Sequence, residues 1–345
     1  MNRKLTGKPI IIFGAGLYGR QALYYFGKDR VYCFADNFKY GQEFMGKPVI
    51  SFEKLRDIAL GYDIIVAINA FGSKEVFAQL INADIKASAF GEHIDIDNLE
   101  TNHEIAKFHN IHKGKRCFLI GNGPSLRSGD LDKLYANDEI TFGCNFIYKI
   151  FPQTSWRPNY YVVSDPFLFN SCIKEIADVE ADVKFFPKLE MITVDNEKAI
   201  QEILDTCKGR YYFFFPDMHS NKYFSNDPSK IIVSFGTVMY VMMQLAAYMG
   251  FEEIYLVGVD ATTKVFSAED YYGEKVHFYE EPDLQTMKNM MSLFSMSKPD
   301  DINSRHVDVY SCAENYSQVH DFRIYNATRG GKLEIFERVN FDALF

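Results

Sequence analysis

The chain has 345 residues, 47% of them hydrophobic and 24% charged, with a formal net charge of −9. That length accommodates two ordinary domains, and the composition is globular, which excludes a disordered or fibrous chain. The acidic balance excludes a general attraction for nucleic acid.

Along the chain, Pro9 to Phe13 is a compact apolar run ending in glycine, Leu17 to Phe26 has a helical pattern, and Val31 to Ala35 is a second strand ending at Asp36. This predicts a β-α-β unit. Val49-Ile50, a helix over Phe52 to Leu60, a strand over Ile64 to Ile68 and a helix over Lys74 to Ile81 continue the alternation. From about Glu92 to Lys115 the chain is polar, carries His93, His103, His109 and His112, and shows no strand pattern. The expected division is therefore a first domain over residues 1–98, a linker over 99–114 and a second domain over 115–345.

A second alternation opens with Arg116 to Ile120. A helix over Leu131 to Tyr135, strands over Glu139 to Cys144 and Tyr160 to Ser164, and an aromatic run at Tyr211 to Phe215 follow. The clearest unit comes late: strand Ile231 to Val233, turn Ser234-Phe235-Gly236-Thr237, helix Val238 to Met249, and strand Ile254 to Val257. That helix is apolar nearly all round and reads as a core helix. Residues from Asp260 to Arg305 are irregular and rich in Tyr, Glu, Lys and Met, the pattern of a binding loop. A last helix over Val307 to Val319 precedes a strand at Arg323 to Tyr325. Strands alternating with helices in both halves predict an α/β fold class: two Rossmann-like parallel-sheet domains in tandem.

Cys33, Cys117, Cys144, Cys172, Cys207 and Cys312 form no C-x-x-C pair and read as free thiols of a reducing cytosol, which makes the expected location cytoplasmic. The basic segment Met1 to Lys8 lacks the apolar core and cleavage site of a signal peptide. The apolar helix Val238 to Met249 is short of the ~20 residues a membrane span needs and contains Gln244. No transmembrane segment is expected, while peripheral membrane association and homo-oligomerisation stay open.

Two glycine-marked strand-to-helix turns carry the chemistry. The first, Gly14-x-Gly16-x-x-Gly19, has Asp36 at the end of the next strand, where a ribose-binding acid stands in a dinucleotide fingerprint. Both a nucleotide or nucleotide-sugar site and a purely structural turn account for it. The second, Gly121-Asn122-Gly123-Pro124-Ser125, has glycines and a proline that set dihedrals, but Asn122 needs another reason. Asn145, Ser164 and Asp165 also follow strand ends, the edge where open α/β sheets bind ligands. Ser234, Gly236 and Thr237 add hydroxyls and backbone N–H groups at a helix start, which suits a nucleotide phosphate. The sequence has no H-E-x-x-H, paired C-x-x-C or calcium-loop pattern and no phosphate-loop motif, so no metal ligands and no tightly bound cofactor are expected.

The order Gly-Asn-Gly-Pro-Ser-Leu at 121, Cys144-Asn145, Ser164-Asp165-Pro166, Phe215-Pro216-Asp217-Met218-His219, Thr237 and Glu253-Ile254-Tyr255-Leu256-x-Gly258-x-Asp260 resembles the bacterial family-42 sialyltransferases and the motility-associated flagellin glycosyltransferases. The ending Ile324-Tyr325-Asn326-Ala327-Thr328-x-Gly330-Gly331-Lys332-Leu333-Glu334 is similar to a wider group that includes pterin diphosphokinase-like proteins. Phe34-Ala35-Asp36-Asn37 and Gly46-Lys47-Pro48-Val49-Ile50 resemble the small N-terminal domain of bacterial sugar acyltransferases.

The sialyltransferase resemblance implies an inverting, metal-independent transfer of a sugar, a nonulosonate from a CMP-sugar donor, to a glycan or protein acceptor in surface polysaccharide or glycoprotein synthesis. It implies that Asn122 and Asn145 hold the nucleotide and phosphate portion of the donor, with Gly123, Ser125 and Asp260 in the same cleft, and that Ser234 to Thr237 face the sugar carboxylate. Asp165 stands where those enzymes have asparagine, which puts the base preference in doubt. Tyr271 or Tyr272 correspond loosely to the tyrosines that stabilise the leaving phosphate. The general base corresponds to His306, placed just before the last helix, with His277 as second choice; an imidazole of pKa ~6.5 takes a hydroxyl proton at neutral pH. The alternatives are a pyrophosphoryl transferase of the pterin diphosphokinase type using ATP and Mg²⁺, and a non-catalytic nucleotide-sugar binding protein.

Overall fold

The computed structural model describes residues 5–68, 70–192, 197–218, 223–261, 277–280 and 300–345. The chain divides into two compact units, Met1–Leu99 with Met218–Ser220 and Glu100–Asp217 with Asn221–Phe345.

In the first unit β1 (Ile10–Phe13), α1 (Leu17–Phe26), β2 (Val31–Ala35), β3 (Glu43–Phe44), β4 (Lys47–Ile50), α2 (Phe52–Ile58), β5 (Asp63–Val66), α3 (Ala70–Asn82) and β6 (Ala87–Ala89) follow one another. The six strands order as β3-β4-β2-β1-β5-β6. All pairs are parallel except β3 with β4. Every residue of β1 is buried because both faces of the sheet are covered. Ile10 and Ile12 pack with Ala22, Leu23 and Phe26 of α1, whereas Ile11 and Phe13 pack with Leu55 of α2 and with Val76 and Leu80 of α3. The chain thus leaves β1 toward β2 on one side and returns as β5 on the other.

The second unit begins with the short α4 (His103–Ala106). It continues as β7 (Arg116–Ile120), α5 (Ser128–Ala136), β8 (Thr141–Cys144), β9 (Tyr160–Val162), α6 (Pro166–Ser171), α7 (Ile173–Asp178), β10 (Val183–Pro187), α8 (Leu189–Ile192), α9 (Glu197–Leu204) and β11 (Arg210–Phe214). After β12 (Pro216–Asp217) and β13 (Ile232–Val233) come α10 (Val238–Tyr248), β14 (Glu253–Val257), α11 (Asp300–Gln318), β15 (Arg323–Asn326) and β16 (Glu337–Arg338). Eight strands form one sheet in the order β11-β10-β9-β8-β7-β14-β15-β16. Each of its pairs is parallel. Phe118 and Ile120 of β7 pack with Leu131 and Leu134 of α5, while Cys117 and Leu119 face α10. The sheet reverses its winding between β7 and β14. At such a switch point open α/β sheets bind ligands in a crevice outside the carboxyl ends of the strands. The tandem α/β reading of the sequence is what the chain forms.

Two local expectations change. Residues 99–114 are not a bare linker: Ile105 and Phe108 are buried in the second unit's core, with Phe108 edge-on to Phe185 and Tyr212 at 5.0 Å each. Backbone hydrogen bonds from Asn110 and His112 to the Tyr248 and Met249 carbonyls and the Asn102 amide on the Phe213 carbonyl hold the segment there as well. The last helix starts at Asp300, so His306 lies inside α11 rather than before it. A buried polar residue also supports the core helix: Gln244 accepts from the backbone N–H groups of Ser225 and Val233 and donates to the carbonyls of Val233 and Tyr240. A fully paired amide in α10 ties β13 to the helix without a desolvation penalty.

Candidate functional site

The second unit's crevice is framed by the segments that leave β7, β8 and β14 and by the start of α10. The glycines of the second turn are required by close packing. A Cβ on Gly121 would lie 2.5 Å from the Gly258 carbonyl oxygen, and one on Gly123 would lie 1.9 Å from Asp260 Oδ2. The Asp260 carboxylate accepts from the Ser125 hydroxyl at 2.8 Å and from its backbone N–H at 3.3 Å. The C-terminal tail braces the same place, since Lys332 donates its N–H to the Asp260 carbonyl at 2.7 Å and the Thr328 hydroxyl accepts from Val259 N–H. Gly123, Ser125 and Asp260, expected to contact a donor, hold one another and fix the turn's shape.

Other expected residues also have local partners. The Asp165 carboxylate caps α6 by accepting from Leu168 N–H at 2.8 Å, and Thr237 caps α10 by accepting from Met239 N–H. Gly236 takes a φ of +82°, which a glycine adopts without cost.

Three polar atoms on this edge have no partner. Asn122 Oδ1, Asn145 Oδ1 and Ser234 Oγ are buried without a hydrogen bond. Asn122 is oriented by its own amide, which donates to the Cys144 carbonyl at 3.1 Å across the ends of β7 and β8, so its free atom is the oxygen. Asn145 stands at φ +49°, a left-handed conformation asparagine tolerates, and its carbonyl accepts from the Tyr161 hydroxyl at 2.5 Å. An unpaired buried polar atom costs about 1–3 kcal/mol. Buried polar groups of this kind are normally paired, and these three stand after strand ends and before a helix start of the second unit.

α11 closes the side of the crevice formed by α10. His306 Nε2 lies 3.2 Å from the Gly236 carbonyl oxygen. A carbonyl only accepts, so Nε2 carries the hydrogen in this contact. Tyr310, one turn further along α11, is buried; burial pushes its phenol up, and the neighbouring Thr237 hydroxyl counters that. Cys144 at the end of β8 and Met239 at the start of α10 belong to the same buried cluster as Tyr310.

His277 stands on the other flank, stacked on Tyr279 at 4.8 Å, and the adjacent Phe278 N–H donates to the Asn122 carbonyl at 3.0 Å. Tyr279 meets Phe146 edge-on at 5.7 Å. Both histidines singled out in the sequence thus belong to the second unit's carboxyl edge. Tyr271 and Tyr272 lie outside the described residues. Sequence reasoning passed over Phe146, Lys149 and Tyr279; the three-residue spacing of Phe146 and Lys149 directly after Asn145 is the signal that could have found them.

In the first unit, Gly14 has φ +121° and a Cβ there would meet the Ala67 carbonyl oxygen at 2.5 Å; a Cβ on Gly19 would lie 1.9 Å from the Gly14 carbonyl oxygen. Gly16 has open space around it. Asp36 does not project as a lone ribose-binding acid. It accepts from Ala15 N–H at 2.9 Å and from the N–H groups of Phe38 and Lys39, while Lys39 Nζ donates to the Ala15 carbonyl. Among the described residues of the chain, no group of three or more His, Cys, Asp or Glu side chains is arranged to hold a metal ion. None of the described helices is long and apolar enough to cross a membrane.

A family model described as MptE-like, 6-hydroxymethylpterin diphosphokinase MptE-like, matches residues 95–265. The match takes in the docked segment after residue 99 and the turns at the ends of β7, β8 and β14. No curated protein matches the chain. Among solved structures, a MAf glycosyltransferase from Magnetospirillum magneticum AMB-1 is 14% identical with a TM-score of 0.40; the match covers 99% of this chain and 59% of that one. This chain therefore spans well under two thirds of that protein's length. A dipicolinate synthase chain from Bacillus halodurans is 12% identical with a TM-score of 0.17, the match covering 72% of this chain and 89% of that one. Likenesses this distant say nothing about activity.

Proposed function

We propose that this protein is a glycosyltransferase whose donor, a nucleotide-activated sugar, binds in the crevice of the second unit. The observation that carries the reading is the meeting of His306 on α11 with the Ser234–Thr237 turn, beside the orphaned oxygens of Asn122 and Asn145. The motif resemblance to sialyltransferases supports a CMP donor, a nonulosonate and a glycan or protein acceptor. The reaction is a single inverting displacement. The acceptor hydroxyl attacks the anomeric carbon, the His306 imidazole takes its proton, and the bond to the phosphate oxygen breaks with the electron pair leaving on the nucleotide. The α10 N-terminus faces the developing negative charge, where backbone N–H groups and the helix dipole favour an anion.

A thermal-shift series with CMP, CDP, UDP, GDP, ATP and NAD, with and without Mg²⁺, tests the donor site, because a ligand that binds only the folded state raises the melting temperature. A shift with CMP or CDP in the absence of metal is the expected result. The match to the MptE-like model favours a second reading, transfer of a pyrophosphoryl group from ATP. A shift with ATP and Mg²⁺ alone would replace the first reading by the second. A shift with a nucleotide sugar but no turnover of it would make the protein a binding module.

A further inference from the structure

The geometry points to Lys149 as the side chain that receives the phosphate charge of the donor, an inference that rests on the donor-site reading above. Lys149 lies in the 3₁₀ run Asn145–Gln153 that leaves β8. Side chains three residues apart eclipse one another in a 3₁₀ helix. Ile147 and Ile150 are buried in the core, and the run kinks at Phe146, whose ring is partly buried against the same core. There Lys149 Nζ sits 4.8 Å from the centre of the Phe146 ring and 4.3 Å from that of Tyr279. The His277–Tyr279 stack backs the cluster, and the Phe278 N–H on the Asn122 carbonyl ties it to the glycine turn.

Among the described residues no carboxylate pairs with Lys149, as is also true of Arg127, Arg210 and Arg323; what sets Lys149 apart from these is its place against two ring faces. Ring faces hold a cation without neutralising it and leave an N–H that does not point at a ring for oxygen. The orphaned atom of Asn122 is an acceptor, so it suits a hydroxyl or amine of the ligand and repels a phosphate oxygen. Phosphate must find its donors elsewhere on this edge, and Lys149 supplies charge and hydrogen-bond donors one helical run away from Asn145.

The test compares wild type with Lys149→Met, which keeps the stem and removes the charge, by calorimetric titration. The probes are whichever of CMP, CDP, UDP, GDP and ATP the wild type binds best, and the nucleoside of that nucleotide. Removal of one charged hydrogen-bond donor is expected to raise the nucleotide Kd about tenfold or more, leave the nucleoside Kd within about twofold, and flatten the salt dependence of nucleotide binding. Lys149→Arg should recover most of the loss. Equal nucleotide affinity in Lys149→Met and wild type, or an equal loss for nucleotide and nucleoside, would overturn the role of Lys149 while leaving the donor site standing. A wild type that binds none of the five nucleotides would overturn both.

Discussion

The two Rossmann-like units use the same turn and finish it differently. In the first, the acid at the end of the neighbouring strand reaches across to the turn: Asp36 takes the Ala15 N–H, and Lys39 covers the Ala15 carbonyl. In the second, Asp260 takes the Ser125 hydroxyl and N–H in a comparable way, yet three buried polar atoms around it stay unpaired. A glycine turn at a switch point is thus a way of joining strand to helix in both units. The unpaired oxygens of Asn122, Asn145 and Ser234 stand after strand ends of the second unit, whereas in the first unit it is the side-chain amide of Gln21, inside α1, that is buried without a partner.

The strongest test of that contrast is catalytic. His306→Ala should reduce sugar transfer by ~10²-fold or more while leaving donor affinity nearly unchanged, because a positioned base acts only on the way to the transition state. His277→Ala, on the opposite flank, should do less. Full turnover in His306→Ala with loss in His277→Ala would move the base to the segment that stacks on Tyr279.

Binding sharpens the comparison at the next scale. Asn122→Ala should weaken the nucleotide response about tenfold, since it removes the acceptor and also frees the Cys144 carbonyl it holds. Gly16→Val in the first unit should leave that response intact. If Gly16→Val folds and abolishes nucleotide binding, the self-satisfied turn is the ligand site and the contrast is reversed.

Stability resolves the glycines within one turn. Gly19→Ala puts a Cβ 1.9 Å from the Gly14 carbonyl oxygen, a backbone atom, and should cost at least about 1–3 kcal/mol despite alanine's better helix propensity. Gly16→Ala meets nothing within 4 Å and should change stability by less than about 0.5 kcal/mol. Chemical denaturation of the two variants measures the difference.

The smallest effect is a pH dependence that both units share. Burial lowers the pKa of His93, whose ring lies 2.7 Å from the Ser88 hydroxyl, and of His112, whose Nε2 lies 2.6 Å from the Tyr160 hydroxyl. His112 Nδ1 is buried without a partner, so protonation would create an N–H with no acceptor. For a histidine whose folded pKa lies below its unfolded value, the unfolded chain binds the proton first as pH falls. The stabilisation from keeping the ring neutral is therefore present above about pH 6.5 and is lost on acidification below it. The melting temperature should fall between pH 7.5 and 5.5, and His112→Phe should reduce the slope. A slope that is unchanged in His112→Phe and in His93→Phe would assign the acid sensitivity to other groups.

Local pattern made much of this readable in advance. The apolar runs at 10–13, 116–120 and 254–257 and the glycines after the first two placed the central strands and both switch points, because period and turn chemistry act over a few residues. The same reasoning missed β10, where Lys184 breaks the apolar run Val183–Pro187. In the fold that lysine is buried, and its ammonium caps α7 by donating to the carbonyls of Ile176 and Ala177 at 3.0 and 2.7 Å. It also missed that Ile105 and Phe108 dock, and that α11 begins before His306.

Sequence by itself determined that the chain builds two parallel sheets covered by helices and that asparagines, hydroxyls and glycines collect at their carboxyl ends. Only the tertiary structure decided which of those polar groups remain available. Asp36, Asp165, Ser125, Asp260 and Thr237 each carry an oxygen that could meet a ligand, but each finds a partner in the chain. Asn122, Asn145 and Ser234 carry oxygens of the same kind that find none. The distinction depends on which segment folds back within hydrogen-bond distance, and partners such as Ser125 and Asp260, 135 residues apart, are brought together by the sheet and not by any local rule.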